Sequence, residues 1–484
     1  MTLINFDYKL PELRQWQLDA VEQLKNSNRS VVAVFTGAGK GTLALYLIKQ
    51  KLDEGKRCLF VVHSLSILND IIAKAAQMGF NFGVVQAGNT RNIDAQFIIA
   101  SSLSLIKRDL KFDYMCWDEA HIIYKSLFDY VQNNAAMEIV GFTATPFNAK
   151  MTQIFTNIVS PVTARQLTDT KVLVPIKIKV AKQIDTNNLA TKGGEFVDTD
   201  IEAEGKKILG DIVNFWLEHA STRKTIIYAA TINHADAIRD EFIANGIGAA
   251  TYCATTNEDV RQDIVTKFKD ANDNLMILTT VTALATGFDA PIASCIISCR
   301  PINKSFTLFV QSLGRILRSY DGKDHALYID CDGNFDRFDA EYLSLYNYGV
   351  NMLPEGIDKI NRHKKKKKKK QVFCPQCDSL MIANRCLNCG YIMPKTMLNH
   401  LTDNVKLIDK NFDSKDADQI LWSMCCNIAR RSRNKVWRAK FIYKDIVGDF
   451  PPAEYKFSPS TYVTKELQVF VNHRDLMWRA HLAQ

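Results

Sequence analysis

VFTGAGKGTLAL occupies Val34 to Leu45. An apolar, β-branched lead-in, SVVAVF from Ser30 to Phe35, runs into Thr36, Gly37, Ala38, Gly39 and Lys40, and a helix-period stretch follows. A strand that ends in glycines and opens a helix aims a row of backbone N–H groups and the positive helix end at one point, where phosphates can sit. Lys40 would then reach the β- and γ-phosphates of a nucleotide. A plain glycine turn reads the same way in isolation, so a second element has to agree. One position is irregular: loops of this kind carry Ser or Thr after the lysine, whereas here Gly41 precedes Thr42. Thr42 cannot simply stand in, because one helical step rotates its side chain by about 100°.

Working outward, apolar runs alternate with helix-period stretches from about residue 30 to 330. SVVAVF, RCLFVVH, QFIIAS, DYMCWD and EIVGFT come first, and TIIYAA, LMILTT, SCIISCR and ALYID follow after a gap. Continuous apolar strands separated by helices imply parallel sheet covered on both faces. The gap, roughly residues 150 to 223, holds the polar stretch KQIDTNNLATKGGEFVDTD, which reads as an insertion or loop. Two α/β lobes are therefore expected.

The 484 residues suffice for three or four units. With 47% hydrophobic and 23% charged residues the composition is that of a globular protein. No apolar run approaches the roughly 20 residues that cross a bilayer, and MTLINFDYKLPELRQ has no signal-peptide pattern. A membrane role is not expected, and a cytoplasmic location is. The net charge of +9 favours a polyanionic partner. Of twelve cysteines only four fall into a spaced set, which argues for metal rather than disulfides.

The second element is WDEAH, Trp117 to His121, at the end of an apolar strand. Asp118 there can hold Mg²⁺ while Glu119 orients and deprotonates the attacking water, since phosphoryl transfer chiefly needs positioning and charge neutralisation. Paired acids at a strand end otherwise belong to a helix N-cap. With the glycine loop upstream, the chain resembles a superfamily 2 DEAH-containing DNA helicase of the bacterial or bacteriophage kind, over about residues 10 to 335. LRQWQ, Leu13 to Gln17, is similar to the adenine-reading segment, with Gln17 the base contact. TATP, Thr143 to Pro146, resembles the element coupling the two active surfaces. ATGFDAP, Ala285 to Pro291, resembles the second-lobe motif touching nucleic acid and nucleotide, with Gly287 at the nucleotide and Asp289 on the ribose. QSLGRILR, Gln311 to Arg318, resembles the final helicase motif.

On a continuous helix Arg315 and Arg318 project from one face, which Gln311 shares. Two guanidiniums facing the γ-phosphate from the opposite lobe would stabilise transition-state charge only when the lobes close. VVHSLSIL (Val61–Leu68) and IIASSLSLIK (Ile98–Lys107) resemble segments that grip the phosphate backbone through hydroxyls and N–H groups; hydroxyls at strand ends also serve as helix caps. TIIYAATINHADAIRDEF resembles the opening of the family's second half.

Farther on, Lys364 to Lys370 form an unbroken charge run, either a solvated spacer or a phosphate-tracking arm. Cys374, Cys377, Cys386 and Cys389 form two C-x-x-C knuckles, four thiolates suited to Zn²⁺, although a redox pair has the same spacing. Cys425 and Cys426, far outside that spacing, read as buried helix residues. ARRSRNKVWRAKFIYKDIVGDFPP interleaves Arg430, Arg431, Arg433, Lys435, Arg438 and Lys440 with Trp437, Phe441 and Tyr443. Its aromatics would either stack on bases or build a small helical core with a basic surface.

The resemblance thus implies two RecA-like parallel-sheet lobes in tandem, residues 1–160 and 161–340. A connector (341–371), a zinc ribbon (372–395) and a mostly helical accessory domain (396–484), a candidate for DNA contact, complete the expected organisation. It implies an ATP- and Mg²⁺-dependent DNA helicase or translocase acting in replication, recombination or repair, moving as the lobes close and open. Gly41 leaves two outcomes: a water replaces the missing metal ligand, or metal binding weakens and turnover slows. The alternatives are a non-hydrolysing ATP-gated scaffold, an RNA helicase and a restriction-system motor, the last without a recognisable nuclease motif here.

Overall fold

The computed structural model describes residues 9–187, 189–253, 255–281, 290–353, 371–382, 385–392, 414–430, 435–447, 451 and 455–459. The chain divides into two units, Met1–Ile392 and Met393–Gln484.

The first unit holds two sheets. In lobe 1 these are β1 (Arg29–Ala33), β2 (Cys58–Val62), β3 (Gly83–Gln86), β4 (Asn89–Arg91), β5 (Phe97–Ser101), β6 (Tyr114–Asp118), β7 (Glu138–Thr143) and β8 (Asn157–Val159). Their order is β4-β3-β5-β2-β6-β7-β1-β8, parallel throughout except for β4. Every residue of β2 and β5 is buried, as two-sided helix cover requires. Lobe 2 is built from β9 (Ile176–Val180), β12 (Thr225–Tyr228), β13 (Gly248–Thr251), β14 (Leu275–Thr280), β15 (Cys295–Ser298) and β16 (Ala326–Asp330). Its order is β13-β14-β12-β15-β16-β9, all parallel. In such sheets the loops at the carboxyl ends of the strands form the binding crevice.

The polar gap is more structured than its composition suggests. IKIKV forms β9, the edge of the lobe 2 sheet, in register with β16 from Ile176↔Ala326 to Val180↔Asp330. Its alternating lysines fit an edge strand, where one side chain in two meets solvent, and they masked the apolar signal. Within the stretch read as a loop, β10 (Thr191–Lys192) and β11 (Glu195–Phe196) pair as a hairpin about Gly193 and Gly194, both at positive φ (62° and 92°). Helices Asp198–Gly205 and Leu209–His219 complete the segment.

The second unit packs helix Ser414–Ala429 against Lys435–Val447. Trp422, Cys425, Cys426, Ala429, Ala439, Ile442 and Tyr443 form its core. Among the described residues no helix is long and apolar enough to cross a membrane. Gly287, Asp289, Arg431, Arg433 and the run Lys364–Lys370 lie outside the described residues.

Candidate nucleotide site

β1 delivers the chain into Thr36–Gly39, and the helix Lys40–Asp53 starts at once. Gly37 and Gly39 have φ of 86° and 106°, a region that L side chains rarely adopt, so both positions call for glycine. The loop is fastened from the amino-terminal side. Arg14 Nη1 donates to the Ala38 carbonyl (2.7 Å) and Gln17 Nε2 to that of Gly39 (3.1 Å), while Gln17 Oε1 accepts from Arg14 N (2.8 Å). Lys40 Nζ folds back onto the carbonyls of Val34 (3.1 Å) and Phe35 (3.4 Å). Burial lowers its pKa, and the charges of Glu119 and Asp118 act against that. Gly41 is the second residue of the helix, and a Cβ built there would lie 3.4 Å from Ile71 Cδ1, an ordinary contact. Space alone therefore does not demand glycine.

Asp118 closes β6, and Glu119 follows at φ 48°. That left-handed conformation costs a non-glycine residue on the order of 1 kcal/mol. The turn is held by Ala120 N donating to Phe142 O (3.0 Å) and Ile122 N to Glu119 O (2.8 Å). His121 Nδ1 lies 3.2 Å from Glu119 Oε2 and 2.8 Å from Thr143 Oγ1, and Thr143 Oγ1 accepts from Thr145 N (3.0 Å). The acid turn is thereby tied to the TATP segment. Burial and the neighbouring Glu119 charge push the Asp118 carboxyl up to about 6. Burial alone would raise Glu119 as well, but the His121 hydrogen bond and the charges of Lys40, His121 and His63 hold it low. The pair thus divides into an easily protonated acid and a firmly ionised one.

From lobe 2, helix Phe306–Leu313 points its carboxyl end at the loop. Ser305 caps its amino end by accepting from Leu308 N (3.4 Å), and the hairpin holds the approach to it: the Glu195 carboxylate accepts from Asn303 N (2.8 Å), Lys304 N (3.0 Å) and Ser305 N (2.9 Å). The continuous helix expected through Arg318 does not form. It ends at Leu313, Arg315 sits in a turn made by Arg315 N→Ser312 O (3.2 Å) and Ile316 N→Leu313 O (3.1 Å), and Arg318 bridges Leu173 in antiparallel fashion. Gly314 weakens helix continuation, and Val174 N donating to Leu317 O (2.8 Å) recruits the strand-like alternative.

The two arginines nevertheless reach lobe 1. A Cβ on Gly37 would stand 3.0 Å from Arg318 Cγ, and one on Gly314 2.4 Å from Thr36 Cβ. Arg315 is buried close enough to Glu119 and Asp118 that their charges oppose the lowering of its pKa by burial. Gln311 is buried in the last helical turn. Phe147, just beyond TATP, packs on Phe306 at 5.8 Å between ring centroids.

Three neighbours of this site went unread in the sequence. Arg14 clasps the loop. Asp70 faces Arg318 electrostatically. His63 follows β2, whose register with β6 (Val61↔Trp117) continues to His63 beside Glu119; both ring nitrogens are buried without a partner. Only strand register could have revealed it. In the two segments expected to grip a phosphate backbone, Ser64 caps helix Leu65–Gln77 by accepting from Ile67 N (3.3 Å), and Ser101 Oγ donates to Ser104 Oγ (2.9 Å).

Residues 10–148 match the family described as Type III restriction enzyme, res subunit, and residues 206–320 match the helicase conserved C-terminal domain. The chain carries both motor domains of a superfamily 2 helicase. It is an ATPase of helicase type. A 51.5 kDa protein of Lactococcus phage (isolate 7-9) is 27% identical over 390 residues, 77% of this chain and 81% of that protein. A candidate ATP-dependent helicase, IRC3 of Saccharomyces cerevisiae, is 27% identical over 362 residues, 67% of this chain but only 52% of the yeast protein. The fold is similar to a fragment of a candidate HsdR subunit of a type I restriction enzyme from Vibrio vulnificus (TM-score 0.56, 20% identity, 71% of this chain and 68% of that one). It is also similar to the DNA-bound Type ISP restriction-modification enzyme LlaBIII (TM-score 0.51, 16% identity, 66% and 28%).

The helicase lobes carry a further cluster. The sulfurs of Cys374, Cys377, Cys386 and Cys389 all lie within 4.8 Å of one another, with Cys374–Cys389 at 3.6 Å and Cys377–Cys386 at 3.4 Å. Tetrahedral thiolates about 2.3 Å from one metal ion would be about 3.8 Å apart, so the cluster is the right size for one ion. The segment docks on lobe 2: Ile178 N donates to Ser379 Oγ (2.9 Å), Leu380 N to Ile178 O (2.7 Å), and Lys179 pairs with Asp378.

Proposed function

We propose that this helicase is an ATP-dependent motor that translocates along and remodels DNA in the cytoplasm of a bacterial or phage-infected cell, in replication, recombination or repair. The observation that carries the reading is the convergence of Lys40, Asp118 and Glu119 from one lobe with Arg315 and Arg318 from the other on a single glycine loop. A scaffold that merely sensed ATP would have no use for a buried, ionised Glu119. In this reading Gln17 reads adenine, and Thr36–Thr42 cradle the phosphates. Lys40 exchanges two carbonyls for the β- and γ-phosphates, and Glu119 takes the proton of the attacking water. Gln311, Arg315 and Arg318 face the γ-phosphate, with Gly287 and Asp289 at the nucleotide from the same lobe. Asp118, half-buried beside a second carboxylate, suits a divalent cation, and Mg²⁺ would neutralise phosphate charge there. Zn²⁺ is the ion proposed for the four cysteines, since thiolate-only tetrahedral sets favour it.

A second reading, the motor subunit of a restriction system, is favoured by the match over residues 10–148 and by the two restriction-enzyme folds. One experiment addresses both readings: ATP turnover and strand displacement on single-stranded, forked and duplex DNA and on RNA duplexes, repeated with Gly41→Thr. Expected are DNA-stimulated turnover in the parent and a lower Mg²⁺ requirement in the variant. A silent parent rescued by the variant refutes the active motor and leaves the ATP-gated scaffold. Movement along duplex without strand separation supports the restriction motor, and preferential unwinding of RNA transfers the substrate to RNA.

A further inference from the structure

The second unit presents an aromatic surface that its own core does not use. Helix Lys435–Val447 buries Ala439, Ile442 and Tyr443 against Trp422 and its neighbours, with Trp422 and Tyr443 edge to face at 6.0 Å. The opposite face carries Trp437, Lys440, Phe441 and Lys444, a spacing of i, i+3, i+4, i+7 that places all four on one stripe. Trp437 is 59% and Phe441 42% exposed, and their rings stack at 6.0 Å between centroids and 29° between planes. Lys440 Nζ stands 5.7 Å from the centre of the Trp437 ring. The sequence of this helix holds four cations, Lys435, Arg438, Lys440 and Lys444, and one acid, Asp445.

We infer that Trp437 and Phe441 form a base-stacking platform for single-stranded nucleic acid, with the surrounding cations on its phosphates. Two observations and one principle of base stacking point to that ligand. An indole left 59% exposed beside the packed helices Ser414–Ala429 and Lys435–Val447 is surface that their packing does not consume. Its flanks are cationic, the complement of a phosphate chain and not of an apolar protein anchor. Bases offer their π-faces only when unpaired, so a flat aromatic pair selects single strands over duplex. The inference rests on the motor reading for its biological sense, and it supplies a hold on the strand outside the two lobes.

The test uses the full chain and a fluorescent oligothymidylate, followed by anisotropy without nucleotide across a salt series. Trp437→Ala is expected to weaken binding about tenfold with no change in the slope of log affinity against log salt, because stacking displaces no counterion; Trp437→Phe restores most of the loss. Lys440→Gln is expected to flatten that slope by roughly 0.7. At saturating DNA, ATP turnover stays at the parent value in all three. Unchanged affinity in Trp437→Ala and in the Trp437→Ala, Phe441→Ala double variant overturns the platform, and a changed oligomeric state in the same variants reassigns the patch to protein contact. If the oligonucleotide binds through Trp437 but never stimulates ATP turnover, the platform stands and the motor reading falls. A parent chain that binds no oligonucleotide overturns both.

Discussion

Gly314→Ala adds one carbon atom where the lobes meet. The backbone there (φ −59°, ψ −16°) is comfortable for alanine, so the change imposes no local strain. The new Cβ would stand 2.4 Å from Thr36 Cβ, 2.5 Å from its Cγ2 and 3.0 Å from its Oγ1. Carbon atoms prefer at least 3.5 Å, so the two backbones must part by about 1 Å. Overpacking of this kind costs about 1–3 kcal/mol. Because the colliding atoms belong to different lobes, the cost falls on their apposition and spares each lobe by itself. If ATP is cleaved with the lobes joined as seen here, kcat/KM for ATP drops about 5- to 150-fold while each lobe keeps its stability. DNA-stimulated ATP turnover together with thermal melting measures both. Making the same change over Thr36→Gly, which deletes the struck atoms, should add far less than on the parent background. A Gly314→Ala protein with parental kcat/KM would refute the reasoning, since the arginine-bearing turn would then not approach the loop through Thr36 during turnover.

Stability should also fall on the acid side through His234. Burial lowers its pKa to about 4, Ala230 N donates to its Nδ1, and a Cβ on Gly205 would touch its ring at 2.4 Å. Between about pH 6.5 and 4 the unfolded chain binds a proton that the folded chain refuses, so up to about 3 kcal/mol is present above that window and lost as pH falls through it. Urea midpoints measured down to about pH 5 should slope less in His234→Gln, and an identical slope would absolve this residue. Chelation under reducing conditions, or Cys386→Ser, should raise hydrogen exchange at Leu380 and along β9; unaltered exchange would mean that the cysteine segment holds its place without a metal.

Much of this architecture was readable in advance because buried parallel strands are written as unbroken apolar runs. β2, β5, β6 and β7 each fall within a residue of the runs RCLFVVH, QFIIAS, DYMCWD and EIVGFT. What stayed hidden depends on partners remote in the chain. IKIKV is a strand because β16 lies beside it, and its lysines look like loop composition until that neighbour is known. The arginine segment leaves its helix for Leu173 and Val174, a competition that no helical periodicity can express. His63 comes beside Glu119 only through the alignment of β2 with β6. In the second unit Tyr443 and Trp437 are equally aromatic on paper, and their opposite fates follow from which side of one helix meets Trp422.

The docking of the cysteine segment on Ile178 has a consequence beyond holding a metal. A sheet's outermost strand is an open seam that invites another chain to add itself. In lobe 2 one of the two such seams is β9, and its central amide and carbonyl are occupied by Ser379 and Leu380. The knuckle therefore acts as a hem: a chain that loses it should fail first by self-association, with its ATP chemistry still intact.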